Sequence, residues 1–169
     1  MYYHFSEDPF ITCFHPRPHP SHPSLPPAVW AIDREKSPLY FFPRDCPRIG
    51  FGRATTTTPE DVARFMGFSD AAMVIATESA WYPIIKETKL YRYTFPPDTF
   101  VRWDDGAGYY LSFETVTPLA VQPLGDLLAC LTRENVELRL TPSLKPLHDA
   151  LLDSTMQFSM IRMRNAQLS

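Results

Sequence analysis

The stretch AVWAIDREKSPLYFFPRDC, residues 28–46, combines a strand signal, a turn and a dense group of aromatic side chains. Its opening residues, Ala28–Asp33, form an apolar run closed by an acid, which predicts a buried strand. Ser37 and Pro38 stand at the cap and first-turn positions of a short helix, which the following prolines end. Such a concentration of aromatic surface after a turn is typical of a packed core corner or of a pocket wall.

Elements with clear local signals surround this stretch. Tyr2–Ser6 predicts a first strand, and the alternating residues Leu90–Phe95 predict a half-buried one. Thr58 as the cap, Pro59 in the first turn and Gly67 after the last turn predict a helix. A further helix is predicted after Gly125, and a short strand at VELRL.

The C-terminal stretch carries apolar residues at helical spacing. These are Leu147, Leu151, Phe158 and Ile161, so we expect helix here, interrupted by Ser154 and Thr155. With no internal repeat and no linker, the sequence predicts one α+β domain over residues 1–169, with an antiparallel-rich β-core and flanking helices.

Composition narrows the class of protein. The hydrophobic content of 44% and the charged content of 21% are those of a globular chain. The net charge of −3 argues against a nucleic-acid binder, although a local basic groove stays open. The start MYYHFSEDPF is unlike a signal peptide, and no apolar segment reaches membrane-spanning length. The three cysteines are an odd number, which favours free thiols. We therefore expect a cytoplasmic protein of undetermined oligomeric state.

Residues 15–27, rich in proline and histidine, predict an extended loop that is either exposed or a lid over a cleft. Cys13, His15, His19 and His22 are of the residue types that bind zinc, but their spacing fits no standard site. We therefore predict no metal.

The turn PRDCPR and a late acid are the other candidate sites. Arg44 and Arg48 could hold the pyrophosphate of a dinucleotide, or Asp45 could pair with one of them to pin the turn. Cys46, between the two arginines, could have a lowered thiol pKa. Glu114 lies between β-prone stretches, where a buried acid is either paired with a base or steadies a sugar hydroxyl.

Three pieces taken in order resemble the ADP-ribosyltransferase superfamily. They are the strand YHFS, the stretch AVWAIDREKSPLY and the stretch SFETVTPLAV. The order is similar to the branch with a histidine–tyrosine–glutamate triad, which includes poly(ADP-ribose) polymerases and small rifampicin ADP-ribosyltransferases. The run FPPDTFVRWDDGAGYYLSFE is also similar to their late region.

The resemblance implies a split, twisted β-core that binds NAD in a cleft and transfers ADP-ribose to an unknown acceptor. His4 would hydrogen-bond the nicotinamide ribose, Tyr40 would stack on the nicotinamide ring, and Glu114 would stabilise positive charge as the glycosidic bond breaks. Further NAD contacts are expected from Ser6, Trp30, Ser37, Phe41, Arg44 and Arg48.

Two alternatives stay open. Phe5 stands where that family usually has glycine, which favours a non-catalytic module that binds a nucleotide or another small ligand. An RNA 2′-phosphotransferase-like enzyme on the same fold would use Arg44 and Arg48 as phosphate ligands. The whole chain also resembles a bacterial family of short proteins of unassigned function that share VWAID…PLYFFPRDCPR and FSxIRxRN.

Overall fold

A computed structural model describes residues 1–104 and 107–168; Asp105 and Gly106 of the late run lie outside it. The chain divides into two compact units, each made of two segments. The first unit comprises Met1–Tyr40 and Lys89–Gly125, and the second comprises Phe41–Thr88 and Asp126–Ser169. The single domain over residues 1–169 stays a prediction.

Strands and helices alternate irregularly along the described residues. The ten strands are β1 (Tyr2–Ser6), β2 (Val29–Ile32), β3 (Arg48–Gly52), β4 (Met73–Glu78), β5 (Tyr91–Phe95), β6 (Phe100–Asp104), β7 (Tyr109–Ser112), β8 (Ala120–Pro123), β9 (Val136–Thr141) and β10 (Gln157–Ile161). The four α-helices are α1 (Pro59–Met66), α2 (Tyr82–Glu87), α3 (Leu127–Arg133) and α4 (Lys145–Leu152). Short 3₁₀ segments span Ser37–Tyr40, Ser79–Trp81 and Met163–Asn165. The predicted α+β class is confirmed.

The first unit is built on a six-stranded antiparallel sheet with the order β6-β7-β2-β1-β5-β8. Side chains alternate between its two faces because the strand repeat is two residues. One face carries the apolar cluster to which the buried residues Val29, Ala31, Tyr93, Phe95 and Val116 belong. We call this the core face, and the other the opposite face.

The second unit has a four-stranded sheet with the order β10-β3-β4-β9. Its pairings are antiparallel except that between β4 and β9, which is parallel. Its core is formed by Ile49, Phe51, Phe65, Met66, Val74, Ala76, Leu144, Leu151 and Met156. Strand β3 was not predicted, because two of the residues in RIGFG are glycines, which weaken a strand signal.

Helix α1 confirms the local prediction. The Thr58 hydroxyl accepts a hydrogen bond from the Asp61 backbone N–H at 3.2 Å. Pro59 occupies the first turn, and Gly67, with φ of 57°, closes the helix through a bond to the Ala63 carbonyl. A non-glycine residue would be strained there, which is why glycine is favoured at this position.

The long C-terminal helix is only partly present. Helix α4 ends at Leu152, and β10 begins at Gln157. Between them Thr155 is anchored to α1, since its backbone N–H and its hydroxyl both donate to Asp61 Oδ2, at 2.7 and 2.5 Å. The helical spacing of Phe158 and Ile161 was therefore misleading, because β10 gains its hydrogen bonds from β3, more than a hundred residues earlier.

Candidate ligand-binding site

His4 projects from β1 into the core of the first unit. It pairs with Tyr93 across the sheet, so both side chains lie on the core face. Its ring makes an edge contact with Phe14, with centroids 4.9 Å apart, and its Nδ1 lies 3.4 Å from the Trp30 carbonyl oxygen. The predicted catalytic imidazole is therefore packed among core aromatics.

Tyr40 contacts the opposite face. Tyr3 pairs with Ile32, and Ile32 pairs with Tyr109, so these three side chains lie on the face away from His4. The hydroxyl of Tyr40 lies 2.5 Å from that of Tyr109. The sheet thus separates the imidazole of His4 from the phenol of Tyr40, and the structure does not bring these two predicted residues together.

Glu114 lies in a bend after β7, where it is exposed. The Ser112 hydroxyl donates to the Glu114 carbonyl at 3.2 Å and accepts from the Glu114 backbone N–H at 3.3 Å. Glu114 therefore lies between strands, as the sequence suggested, and its carboxylate is not buried. The chain turns here because a serine hydroxyl can satisfy nearby backbone groups outside a ladder.

The two predicted serines have local backbone partners. Ser6 ends β1, and its hydroxyl accepts a hydrogen bond from the Asp8 backbone N–H at 3.1 Å. Ser37 is buried and donates to the Asp33 carbonyl at 2.7 Å. The side chain that caps this turn belongs to Asp33, whose Oδ1 accepts from the Lys36 backbone N–H at 2.9 Å. Ser37 is therefore not the cap that the sequence predicted.

Aromatic side chains gather on the opposite face of the first unit. We call them the aromatic cluster: His19, His22, Trp30, Tyr40, Trp103 and Tyr109. Trp30 lies at the centre, and its ring centroid is 5.0 Å from Trp103, 5.7 Å from Tyr109 and 4.8 Å from His19. Edge-to-face angles of 73° and 79° to Trp103 and Tyr109 are those at which aromatic quadrupoles attract.

Strand order explains how distant residues meet in this cluster. Trp30 is on β2, Tyr109 on the neighbouring β7 and Trp103 on β6, the next strand. The register of β6 shifts between Arg102 and Asp104, which is the position of Trp103. A bulge of this kind re-aims a side chain, and here the Trp103 ring contacts Trp30.

The indole nitrogen of Trp30 is the unusual atom of the cluster. Nε1 is buried, yet it has no hydrogen-bond partner within residues 1–104 and 107–168. An unpaired buried N–H costs about 1–3 kcal/mol, and buried indoles usually find an acceptor. Such a donor among these aromatic rings is a candidate contact for an acceptor atom of a ligand.

The proline- and histidine-rich loop, residues 15–27, covers Trp30. Arg17 and Ala28 exchange two backbone hydrogen bonds of 3.1 Å at the base of the loop. His22 lies over Trp30 at an interplanar angle of 23° with centroids 5.8 Å apart. His19 and His22 therefore pack as aromatic rings, and the part of the chain that the structure describes holds no group of three residues able to bind a metal.

Arg48, in the second unit, is buried. Its Nη1 donates to the Cys46 carbonyl at 2.8 Å, and its guanidinium lies 5.5 Å from the centroid of the Phe42 ring. Only 2% of Arg48 is exposed, so this guanidinium supports the turn and is closed to a pyrophosphate. The predicted phosphate contact is not supported at this residue.

The Cys46 thiol is wholly buried beside Thr77, with Sγ 3.3 Å from Thr77 Oγ1. Burial raises the pKa of Cys46, and the bond to Thr77 and the charge of Arg48 oppose that rise only in part. The prediction of a lowered thiol pKa is wrong, because removal from water outweighs the neighbouring guanidinium.

The C-terminal stretch of the second unit contacts the turn PRDCPR. Arg44 is exposed, and its carbonyl accepts from Arg162 Nε at 3.2 Å. The Asp45 carbonyl accepts from Asn165 Nδ2 at 2.7 Å. Phe41, also expected to contact NAD, is a buried side chain of this unit.

Sequence reasoning missed part of the aromatic cluster. Trp103 and Tyr109 lie in the run FPPDTFVRWDDGAGYYLSFE, but neither residue stood out there as a site residue. Their position beside Trp30 depends on the strand order, which local patterns do not contain. The residue types of His19 and His22 point to zinc, and nothing in the local sequence indicates that both rings pack on Trp30.

The chain belongs to the family of unknown function DUF6886, whose profile matches residues 3–166. This confirms the predicted membership of a family with unassigned function. Neither a curated protein nor a solved structure matches the chain. Among the described residues there is no helix with the length and apolar character that a membrane crossing requires.

Proposed function

We propose that the first unit of this DUF6886 protein binds a planar heteroaromatic ligand on the aromatic cluster, with the nicotinamide or adenine ring of NAD as the leading candidate. The observation that carries the proposal is the buried, unpartnered Nε1 of Trp30. A ligand acceptor placed against this N–H would remove the cost of leaving it unpaired.

Stacking would supply most of the affinity. Trp103 is 38% exposed, so part of its ring is accessible to a planar ligand. Stacking of one base on an aromatic side chain contributes about 1–3 kcal/mol and tolerates different bases, because each has a π-face. The hydroxyl pair of Tyr40 and Tyr109 adds polar groups at the edge of the same cluster.

The proline- and histidine-rich loop is the element that would respond to the ligand. His22 lies nearly parallel to Trp30, in the kind of position that a ligand ring would take. A ring that reaches Trp30 Nε1 would displace this imidazole, and the loop would then close over the ligand. Its prolines limit the conformations of the free loop and so lower the entropy cost of ordering it.

ADP-ribose transfer would be the stronger form of the proposal, and it has less support. It requires groups that bind the ribose and stabilise its developing charge to line one wall of the cleft. His4 lies on the core face, Tyr40 contacts the opposite face, and Glu114 is in an exposed bend. Binding without transfer is therefore the function that the geometry favours.

The test is titration of the full chain with NAD, followed by calorimetry and by tryptophan fluorescence. Trp103→Leu is expected to weaken binding about 5- to 150-fold, which corresponds to the stacking energy of one base. Trp30→Phe keeps a ring and removes the N–H, so it is expected to weaken binding as well. Trp81→Phe, in the second unit, is the matched control and should bind like the wild type.

Two outcomes would overturn the proposal: no binding of NAD, AMP or nicotinamide, or unchanged affinity in both Trp30→Phe and Trp103→Leu. Nicotinamide release from NAD, measured by chromatography, separates the two forms of the proposal. Release that is lost in Glu114→Ala would establish the transferase. Binding without release would establish the non-catalytic module.

A further inference from the structure

A cysteine, a histidine and a threonine form a hydrogen-bonded chain on the first unit, apart from the aromatic cluster. Cys13 Sγ lies 3.2 Å from His15 Nε2, and His15 Nδ1 lies 3.1 Å from Thr115 Oγ1. His15 and Thr115 are exposed, and Cys13 is half-buried. The three groups are therefore accessible to a small molecule in solution.

Backbone pairing holds these side chains in place. Phe14 and Val116 exchange two backbone hydrogen bonds, of 2.8 and 2.9 Å, as an isolated antiparallel bridge. Both side chains belong to the core of the unit. Because neighbours along an extended chain point to opposite sides, Cys13 and His15 both turn outward, and His15 faces Thr115 across the bridge. The arrangement thus follows from the bridge, and it does not depend on side-chain rotamers alone.

The order of groups is that of an activated nucleophile. When His15 carries its proton on Nδ1, it donates to Thr115 Oγ1, and its Nε2 lone pair faces the Cys13 thiol. A base within hydrogen-bond reach of the nucleophile, itself oriented by a third group, is the arrangement that activates a thiol. The thiolate so formed is the reactive species.

We propose that Cys13 is a reactive thiol that forms a mixed disulfide with a low-molecular-weight disulfide, with His15 as its base and Thr115 as a positioning residue. His15 takes the thiol proton, and the Cys13 sulfur attacks one sulfur of the small disulfide. The new S–S bond forms as the old one breaks, and the leaving thiolate takes the proton from His15. One small disulfide and one cysteine thiol thus give one mixed disulfide and one small thiol.

The other two cysteines provide an internal comparison. Cys46 is 0% exposed and Cys130 is 6% exposed, and both belong to the second unit. Neither is accessible enough to compete for a solution reagent in the native protein. Selective reaction at Cys13 is therefore a direct consequence of the proposal.

The test is to incubate the native full chain with oxidised glutathione at neutral pH and to follow the modified cysteine by mass spectrometry of intact protein and peptides. Modification at Cys13 is expected, and Cys13→Ser should abolish it. His15→Gln should slow the reaction about tenfold, because the thiol then has no base within hydrogen-bond reach to take its proton. Thr115→Val should slow it by a smaller factor, while Thr115→Ser retains the wild-type rate.

His148→Gln is the matched control, since His148 is a hydrogen-bonded histidine of the second unit. Thermal unfolding of each variant checks that it is folded. An unchanged rate in His15→Gln, or faster modification of Cys46 or Cys130 than of Cys13, would overturn the proposal. Iodoacetamide is the second reagent, and it should show the same dependence on His15 because it also reacts with the thiolate.

Discussion

The hydroxyls of Tyr40 and Tyr109, 69 residues apart in the chain, lie 2.5 Å from each other on the first unit. Their rings meet at an angle of 75°, so the contact combines a hydrogen bond with an edge-to-face aromatic pair. This contact ties the 3₁₀ segment after β2 to β7. It also assigns Tyr40 to the aromatic cluster, on the face of the sheet away from His4.

Tyr40→Phe and Tyr109→Phe should each lower the free energy of unfolding by about 1 kcal/mol, because each removes the same hydrogen bond. The double variant should lose less than the sum of the two, since the second change removes a bond that is already broken. Urea denaturation measures all three, and Tyr82→Phe serves as the control. Additive losses would contradict the mutual bond.

Gly108→Ala should be more destabilising than Gly125→Ala. Both glycines have positive φ, of 73° and 75°, so both alanines are strained by about 1–2 kcal/mol. At Gly108 the added Cβ would also lie 2.7 Å from Lys36 Cγ and 2.8 Å from Asp33 Oδ2, which belongs to the carboxylate that caps the Lys36 turn. At Gly125 no atom lies within 4 Å of the added Cβ. Unfolding midpoints in urea test the difference. Equal losses of stability in the two variants would contradict the prediction, because they would show that the Asp33 turn moves aside at no cost in free energy.

Thr155→Val should raise the pKa of Asp61 towards its ordinary value. Hydrogen bonds from the hydroxyl and the backbone N–H of Thr155 are the main causes that lower this pKa in the folded protein. A lowered pKa stabilises the native state above the ordinary value of about 3.9, and that stabilisation is lost as the pH falls through the folded-state pKa.

The difference in free energy of unfolding between wild type and Thr155→Val should therefore be larger at pH 7 than in acid. Carboxyl titration by NMR, together with unfolding at pH 7 and pH 3, measures both effects. Thr56→Val, at an exposed threonine near the start of α1, is the control and should leave the titration of Asp61 unchanged. A pKa of Asp61 that is the same with and without the Thr155 hydroxyl would refute the assignment.

The raised pKa of Cys46 predicts a loss of stability in alkali. Burial disfavours the thiolate in the folded state. The contribution of Cys46 to the free energy of unfolding is therefore fully present below the unfolded-state pKa of about 8.5, and it is lost as the pH rises through the folded-state pKa. Wild type should lose more stability between pH 7 and pH 10 than Cys46→Ala does. Cys130→Ala is the control, and it should retain the alkaline loss of the wild type. Identical profiles of stability against pH for wild type and Cys46→Ala would show that Cys46 is not the cause of the alkaline loss.

Much of the secondary structure was predictable from local patterns. Helix α1 follows from Thr58, Pro59 and Gly67, since a cap, a first-turn proline and a positive-φ glycine act within a few residues. The strand within Ala28–Asp33 and the 3₁₀ turn beginning at Ser37 were also predicted at their observed places. These elements depend on dihedral preferences and neighbouring groups, which a short window of sequence contains.

The sequence by itself thus determined the α+β class, most strands and helices, and membership of the family of unassigned function. Tertiary structure alone decided that β10 pairs with β3, that a sheet separates His4 from Tyr40, and that Thr115 meets the side chain of His15. The physical reason is that strand pairing joins backbone groups distant in sequence, and a register fixes which face every side chain occupies. Neither property is carried by the residues of one segment.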